Sequence, residues 1–222
     1  MNNQHNSRII ISNQASVHDD LEAVLNKHIQ HDFHKPISDI NQRVFEQVQH
    51  LYEQHSNNFI LDSGCGVGES TYHIAQANPD CFVLGVDQSS HRIENNNNWT
   101  LPENAQLIQA NLIDFWRLAE QSNWLLYKHY LLYPNPWPKK KHLQRRWHGH
   151  PVFPVLKTLS GQLEMRTNWK IYAEEFKLAI ELLMNKDCAL KLWTPEHAMT
   201  PFERKYQQSA QDLYQVKIDL RS

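Results

Sequence analysis

Apolar positions along this chain recur at two different periods. Near the N-terminus they follow the helical one. Ser16 and Asp19 read as a helix start, with Val17, Leu21, Val24 and His28 on one face. From Ser38 onward Ile40, Val44, Val48 and Leu51 repeat the spacing and predict a second helix. From Phe59 short apolar runs bounded by turns take over. FILD is a strand, followed by a glycine-rich turn and a helix over Ser70–Asn78 that Pro79 stops. CFVLGVD is a strand ending on Asp87, and a helix near Ser89–Asn95 and a strand over Gln106–Gln109 come next. Leu112–Gln121 reads as a helix and Leu125–Tyr133 as a strand. Val152–Leu159 is a short helix closed by Ser160 and Gly161. The rest is a strand (QLEMRT), a helix over Trp169–Met184, a strand (CALKLW) and a last strand (LYQVKIDL). Asn95–Asn98 reads as a loop and the first dozen residues as a mobile polar arm. Strands alternating with helices predict an α/β architecture, a mainly parallel seven-stranded sheet covered on both faces. Ligands of such sheets sit beyond the carboxyl ends of the strands. Residues 1–58 are expected to form a helical extension and residues 59–222 the main domain.

Composition narrows the class. With 222 residues and 41% hydrophobic content the chain can bury a core. No apolar run reaches the roughly 20 residues that span a bilayer, and the mean hydropathy is -0.65. The start MNNQHNSRIIIS lacks a signal-peptide pattern, so a cytoplasmic protein is expected. Cys65, Cys81 and Cys188 form no CxxC pair, which fits reduced thiols, and the fourteen histidines show no zinc-site spacing. Net charge is -2 from 22 cations and 24 anions, yet no Asp or Glu lies between Glu120 and Glu164. That basic stretch predicts a local positive field suited to a polyanion.

Leu61-Asp62-Ser63-Gly64-Cys65-Gly66-Val67-Gly68 lies between a predicted strand and a predicted helix. Gly64, Gly66 and Gly68 permit a tight turn and close approach of a ligand to backbone. The spacing is GxGxG, not the GxGxxG that seats a dinucleotide pyrophosphate. Asp62 would repel a pyrophosphate but suits an ammonium group, and Asp87, followed by Gln88, can accept from two ribose hydroxyls. The arrangement resembles the S-adenosylmethionine (SAM) site of class I methyltransferases, whose fold is Rossmann-like. Asn111 and Leu112 fall where such enzymes hold the adenine. An ordinary strand-to-helix turn and an NAD site are the competing readings of the loop alone.

PNPWPKKKHLQRR follows the fourth strand at the same end of the sheet. Pro134, Pro136 and Pro138 stiffen it around Trp137, and the cations Lys139, Lys140, Lys141, Arg145 and Arg146 then suit a phosphate backbone. A solvated basic loop is the plainer reading.

With these motifs the sequence resembles the bacterial tRNA guanine-N7 methyltransferases. The family pattern PDPWPK with following basic residues matches Pro134–Arg146, its TDWE-x-YA matches Thr167–Ala173, and its T-x-F-E matches Thr200–Glu203. The resemblance covers roughly Phe59–Asp219. It implies SAM as cofactor, tRNA or another structured RNA as partner, and methyl transfer to a guanine. Asp62, Gly64, Gly66, Gly68, Asp87, Gln88, Asn111 and Leu112 would contact cofactor. Asn135 matches the catalytic carboxylate. Lys139, Asn168, Thr200, Pro201, Phe202 and Glu203 match substrate-binding positions, and Lys140, Lys141, Arg145 and Arg146 the RNA-touching stretch. No metal is implied.

The departures are three amides, Asn111, Asn135 and Asn168, where the family carries acids. Guanine N7 has a free lone pair and no proton, so its methylation needs no general base. A carboxylate would stabilise positive charge growing on the purine, whereas an amide keeps the shape and loses the charge. Slower transfer, another acceptor, or SAM and RNA binding without turnover are therefore the alternatives. Trp137 and Trp169 read equally as base-stacking or packed side chains, and Trp147 and Trp193 as packing. His142, His148 and His150 read as ordinary structural histidines, and Cys65 as a small packing residue.

Overall fold

A computed structural model describes residues 7–95, 100–159 and 161–221. Asn96–Asn98 of the expected loop, the first six residues of the expected arm, and Ser160 of the expected turn lie outside the described residues. The elements are α1 (Leu21–Gln30), α2 (Asp39–His55), β1 (Phe59–Ser63), α3 (Glu69–Ala77), β2 (Phe82–Asp87), α4 (Ser90–Glu94) and β3 (Ala105–Gln109). They continue with α5 (Leu112–Gln121), β4 (Lys128–Leu132), α6 (Leu156–Leu159), β5 (Gln162–Thr167), α7 (Lys170–Met184), β6 (Ala189–Leu192), α8 (Pro201–Gln208) and β7 (Tyr214–Asp219).

The strands form one sheet in the order β3-β2-β1-β4-β5-β7-β6. β1 pairs in parallel with both β2 and β4, and β7 runs antiparallel between β5 and β6. The chain builds outward from β1 to β3, then returns to lay β4 on the other side of β1. That reversal makes the carboxyl ends of β1 and β4 the topological switch point, where ligands of such sheets bind. Ser63, Asp87, Gln109, Leu132 and Thr167 end the five parallel strands, so every motif singled out in this region follows a strand end.

Alternation along the strands divides the core. Leu61, Leu84 and Leu131 face α1, α2, α5, α6 and α7, whereas Ile60, Val83, Tyr130 and Leu132 pack with Ile74 and Ala75 of α3. All residues of β1 and β2 are buried, as two covered faces require.

Helix starts have local causes. Ser38 caps α2 by accepting from Ile40 N at 3.3 Å, as the pattern predicted. α1 starts later than expected: Asp20, not Ser16, precedes it, and no side-chain bond caps it. The helix expected from Val152 is a 3-10 turn over Phe153–Val155, and α6 proper begins at Leu156. Residues 140–149 fold into two further 3-10 turns, and α8 was not anticipated.

The first two helices share the core of the sheet. Trp124 is fully buried and stacks on Tyr52 of α2, with ring centroids 4.5 Å apart and 8° between planes. Its indole N–H donates to Gln49 at 2.8 Å, and Phe45 lies 4.9 Å away. Such rings bury large areas and satisfy their own polar ends, which fixes α2 against α5 and the sheet.

Candidate functional site

The glycine loop after β1 is built for close approach. Gly64, Gly66 and Gly68 all have left-handed backbones, with φ of 81°, 60° and 79°. A Cβ at Gly68 would stand 2.5 Å from Leu107 Cδ1, so this glycine is a packing requirement. A Cβ at Gly66 would meet nothing within 4 Å, so the space above it is open. Asp87, at the end of β2, accepts from Gly66 N at 3.0 Å and Ser89 N at 2.8 Å. Each of its oxygens thus keeps a lone pair. Arg92 approaches it at 3.5 Å.

Asp62 is 1% exposed. Its Oδ2 accepts from Ser70 Oγ at 2.6 Å and Thr71 Oγ1 at 2.7 Å, while its buried Oδ1 has no partner. Burial outweighs the two hydroxyls and pushes its carboxyl up to about 6. A buried carboxylate with an orphaned oxygen is completed by a cation, which is what an ammonium-bearing ligand supplies.

A cleft of about 470 Å³ adjoins the ends of β2 and β3. Ile40, Asn41 and Val44 of α2 form one wall, facing Gln88, Gln109 and Asn111. Asp114 sets that wall: its Oδ2 accepts from Asn41 Nδ2 at 2.6 Å and Ser38 N at 3.2 Å. Asn41 Oδ1 in turn accepts from Asn111 N at 3.1 Å, and Asn111 caps α5 by accepting from Ile113 N at 2.9 Å. Leu112 lies 4.0 Å from the position of a Gly64 Cβ. An amide-rich cleft with apolar Ile40, Val44 and Ile108 fits a flat heterocycle bearing both donors and acceptors. These residues therefore fit a group with an ammonium, vicinal hydroxyls and a purine.

The loop after β4 carries backbone strain: Tyr133 and Trp137 are left-handed, with φ of 51° and 45°. Tyr133 Oη donates to Glu203 Oε1 at 2.6 Å. Arg166 Nη1 and Trp193 Nε1 donate to the same oxygen at 3.0 and 3.2 Å, and Met199 N donates to Glu203 Oε2 at 2.8 Å. Thr200 caps α8 by accepting from Glu203 N at 2.9 Å, with Pro201 in the first turn. Glu203 is 0% exposed and these donors occupy both its oxygens, so the expectation that it touches substrate is corrected: it anchors α8 and the β4 loop from beneath. Thr200 is likewise buried by its capping role. Phe202 remains half-exposed and Pro201 exposed.

The basic segment divides in two. Lys139, Lys141 and Arg145 are exposed, with the Arg145 guanidinium 4.9 Å from the Trp137 ring centroid. Lys140 pairs with Asp19 at 2.5 Å, so an acidic neighbour does balance one cation. Arg146 is 0% exposed, and its expected place on the RNA face is corrected. Its Nη1 donates to Glu175 Oε2 at 2.5 Å, its Nε to Trp137 O at 3.2 Å, and its guanidinium covers Trp169 at 4.8 Å. Trp169 is thereby a packed side chain. His148, also fully buried, bonds Glu175 Oε2 at 2.8 Å. Burial would raise Glu175, but His148 and Arg146 hold it down at about 2. Burial lowers the His148 imidazole, against the pull of the Glu175 carboxylate.

Asn135 is exposed on the loop. Asn168 Nδ2 donates to Gln211 Oε1 at 2.8 Å, and Gln211 Nε2 donates to Ser7 O at 2.8 Å. The N-terminal segment continues across this edge: Ser12 Oγ donates to Pro138 O at 2.6 Å and Asn13 Oδ1 accepts from Lys140 N at 2.9 Å. Sequence reasoning missed Asn41, Asp114 and Glu175. Only Glu175 left a signal, a lone charge on the apolar face of Tyr172, Phe176, Ala179 and Leu183. Burial also raises the Cys65 thiol well above its ordinary value, which leaves it inert.

A family model described as "Putative methyltransferase" matches residues 56–216. A tRNA (guanine-N(7)-)-methyltransferase of Bordetella pertussis is 32% identical over 124 residues, 51% of this chain and 47% of that protein. Its namesake in Neisseria meningitidis is 29% identical over 151 residues, 64% of this chain and 60% of that protein. The chain thus spans about half the length of the former and three-fifths of the latter. Among solved structures, an antibiotic-related methyltransferase superposes with a TM-score of 0.56 at 12% identity, covering 79% of this chain and 94% of that one. The 16S rRNA methyltransferase KamB gives 0.54 at 18% identity, covering 85% and 96%. Both show the fold, a class I methyltransferase sheet.

Proposed function

This chain belongs to the methyltransferase family whose model spans residues 56–216, and we propose that it transfers a methyl group from SAM to the N7 of a guanine in tRNA. The observation that carries the reading is that a glycine loop flanked by Asp62 and Asp87 and a basic, proline-stiffened loop bearing Asn135 follow the carboxyl ends of the neighbouring strands β1 and β4. The named activity of the two curated relatives supports the choice of acceptor.

When bound, SAM supplies an electrophilic methyl group on a sulfonium, so the accepting nitrogen needs no base. Asp62 Oδ1 would hold the ammonium and Asp87 the ribose hydroxyls, and the cleft lined by Asn41, Gln88, Gln109, Asn111, Ile40 and Ile108 would take the adenine. The exposed Lys139, Lys141 and Arg145 would hold phosphates, and Asn135 and Asn168 would meet the guanine with amides in place of carboxylates. Rate then comes chiefly from alignment, for which effective molarities are large. The three cysteines are free and buried, and among the described residues no helix is long and apolar enough to cross a membrane. A cytoplasmic place, where tRNA is modified, is part of the proposal.

The test is transfer of labelled methyl from SAM to total tRNA, followed by chain cleavage at N7-methylguanine. Label at one guanine supports the reading. Label at another base or another RNA supports a same-fold enzyme with a different acceptor, which the three amides favour. SAM binding without transfer supports a non-catalytic relative.

A further inference from the structure

Glu175 is a fully buried carboxylate on α7 with donors on every side. Oε1 accepts from Gln14 Nε2 and from His18 N at 2.9 Å, and Oε2 accepts from Arg146 Nη1 at 2.5 Å and His148 Nε2 at 2.8 Å. Arg146, held by that charge, turns its other nitrogens to the β4 loop and to Gln14. Nε and Nη2 each donate to Trp137 O at 3.2 Å, and Nη2 reaches Lys139 O at 3.4 Å and Gln14 Oε1 at 3.0 Å. Its far side rests on the Trp169 ring at 4.8 Å. One guanidinium therefore bridges the backbone two residues beyond Asn135 to the residue after Asn168.

We infer that Glu175 is a positioning residue of the proposed transfer: acting through Arg146, it sets the loop carrying Asn135 against the turn carrying Asn168 and ties residues 14–18 to the same point. The inference rests on the methyl-transfer reading for its kinetic part only. The left-handed Trp137 and the three neighbouring prolines make this loop stiff but place it nowhere; its carbonyls need an anchored donor. A permanently charged, forked guanidinium meets that need, and it stays in the interior only because a carboxylate neutralises it. None of the Glu175 partners belongs to the glycine loop or the amide cleft, so cofactor binding is separable from the role assigned here.

The experiment is Glu175→Gln, which keeps the shape but turns an amide N–H toward Gln14 or Arg146. Two readouts are taken on folded protein: steady-state transfer to tRNA, and the rate of tryptic cleavage between Lys139 and Arg145. The expected result is kcat lower by about tenfold or more with SAM affinity within about twofold, because alignment rather than cofactor binding is lost. Cleavage of the released loop is expected to be faster by about tenfold, since local opening governs proteolysis. Unchanged cleavage overturns the inference, whatever the kinetics. Faster cleavage with unchanged kcat also overturns it, leaving Glu175 a purely structural residue. If wild-type protein methylates no tRNA, the functional reading fails while cleavage still judges the loop anchoring. Should Glu175→Gln fail to fold, Arg146→Lys, which removes the fork but keeps the charge, is read by the same outcomes.

Discussion

Tyr133 Oη lies 2.6 Å from Glu203 Oε1, joining the first residue after β4 to the first turn of α8 across 70 positions of sequence. The bond ties two motifs that look independent in the sequence into one buried network with Arg166 and Trp193. Glu203 keeps three other donors if the phenol is lost, so Tyr133→Phe is expected to cost only about 1 kcal/mol. In a domain of this size that lowers Tm by about 2–4 °C. Calorimetry checks it, and a drop several times larger would mean that the hydroxyl, not Arg166, holds the network.

Asp62 is expected to make cofactor binding pH-dependent. Its ordinary value is 3.8, and burial raises it to about 6 in the folded protein. Between these values the folded state holds a proton that the unfolded state has lost, so this group's contribution to stability falls as pH rises from about 4 to 6. Binding of an ammonium runs the opposite way, because only the ionised carboxylate attracts it. SAM affinity is expected to rise between about pH 5 and pH 7.5, with proton release on binding below pH 7. Titration calorimetry at the two pH values measures this, and Asp62→Asn should flatten the profile.

The basic edge separates by burial. Replacing Lys139, Lys141 or Arg145 with Ala should each weaken tRNA binding and reduce the salt slope by up to about one unit. Lys140→Ala should do less, because Asp19 already shares its charge. Arg146→Ala should instead destabilise the fold by about 3–5 kcal/mol, leaving the Glu175 charge buried and unpaired. Filter binding over a salt series and thermal melts distinguish the two classes.

Asn135→Asp restores a carboxylate on the exposed loop. If guanine N7 is the acceptor, stabilising the charge that grows on the purine should raise kcat by about tenfold without changing SAM affinity. Guanine methylation seen only in the variant would assign the native enzyme a different acceptor.

Much of this was readable in the sequence, and the failures have two causes. β1, β2, β5 and α5 announced themselves because local pattern and local turn chemistry agree there, as at Asn111, whose side chain caps the helix it precedes. α8 was missed because Pro201 reads as a breaker, although in the first turn after a capping Thr200 proline is favourable. Arg146 was misplaced because its partner Glu175 stands 29 residues away on α7, and no local signal tells a solvated arginine from a neutralised one. A still longer separation, 73 residues, hid Asn41, which becomes a cleft wall only when Trp124 and Asp114 dock α2.

SAM binding above Gly66, between Asp62 and Asp87, is tested most directly by calorimetric titration of the wild type and Asp87→Ala with SAM. One site is expected in the wild type and at least about a tenfold weaker one in the variant, since hydrogen bonds to a carboxylate contribute about 1.5–3 kcal/mol each. No binding by the folded wild type, or equal affinity in both proteins, would contradict that placement.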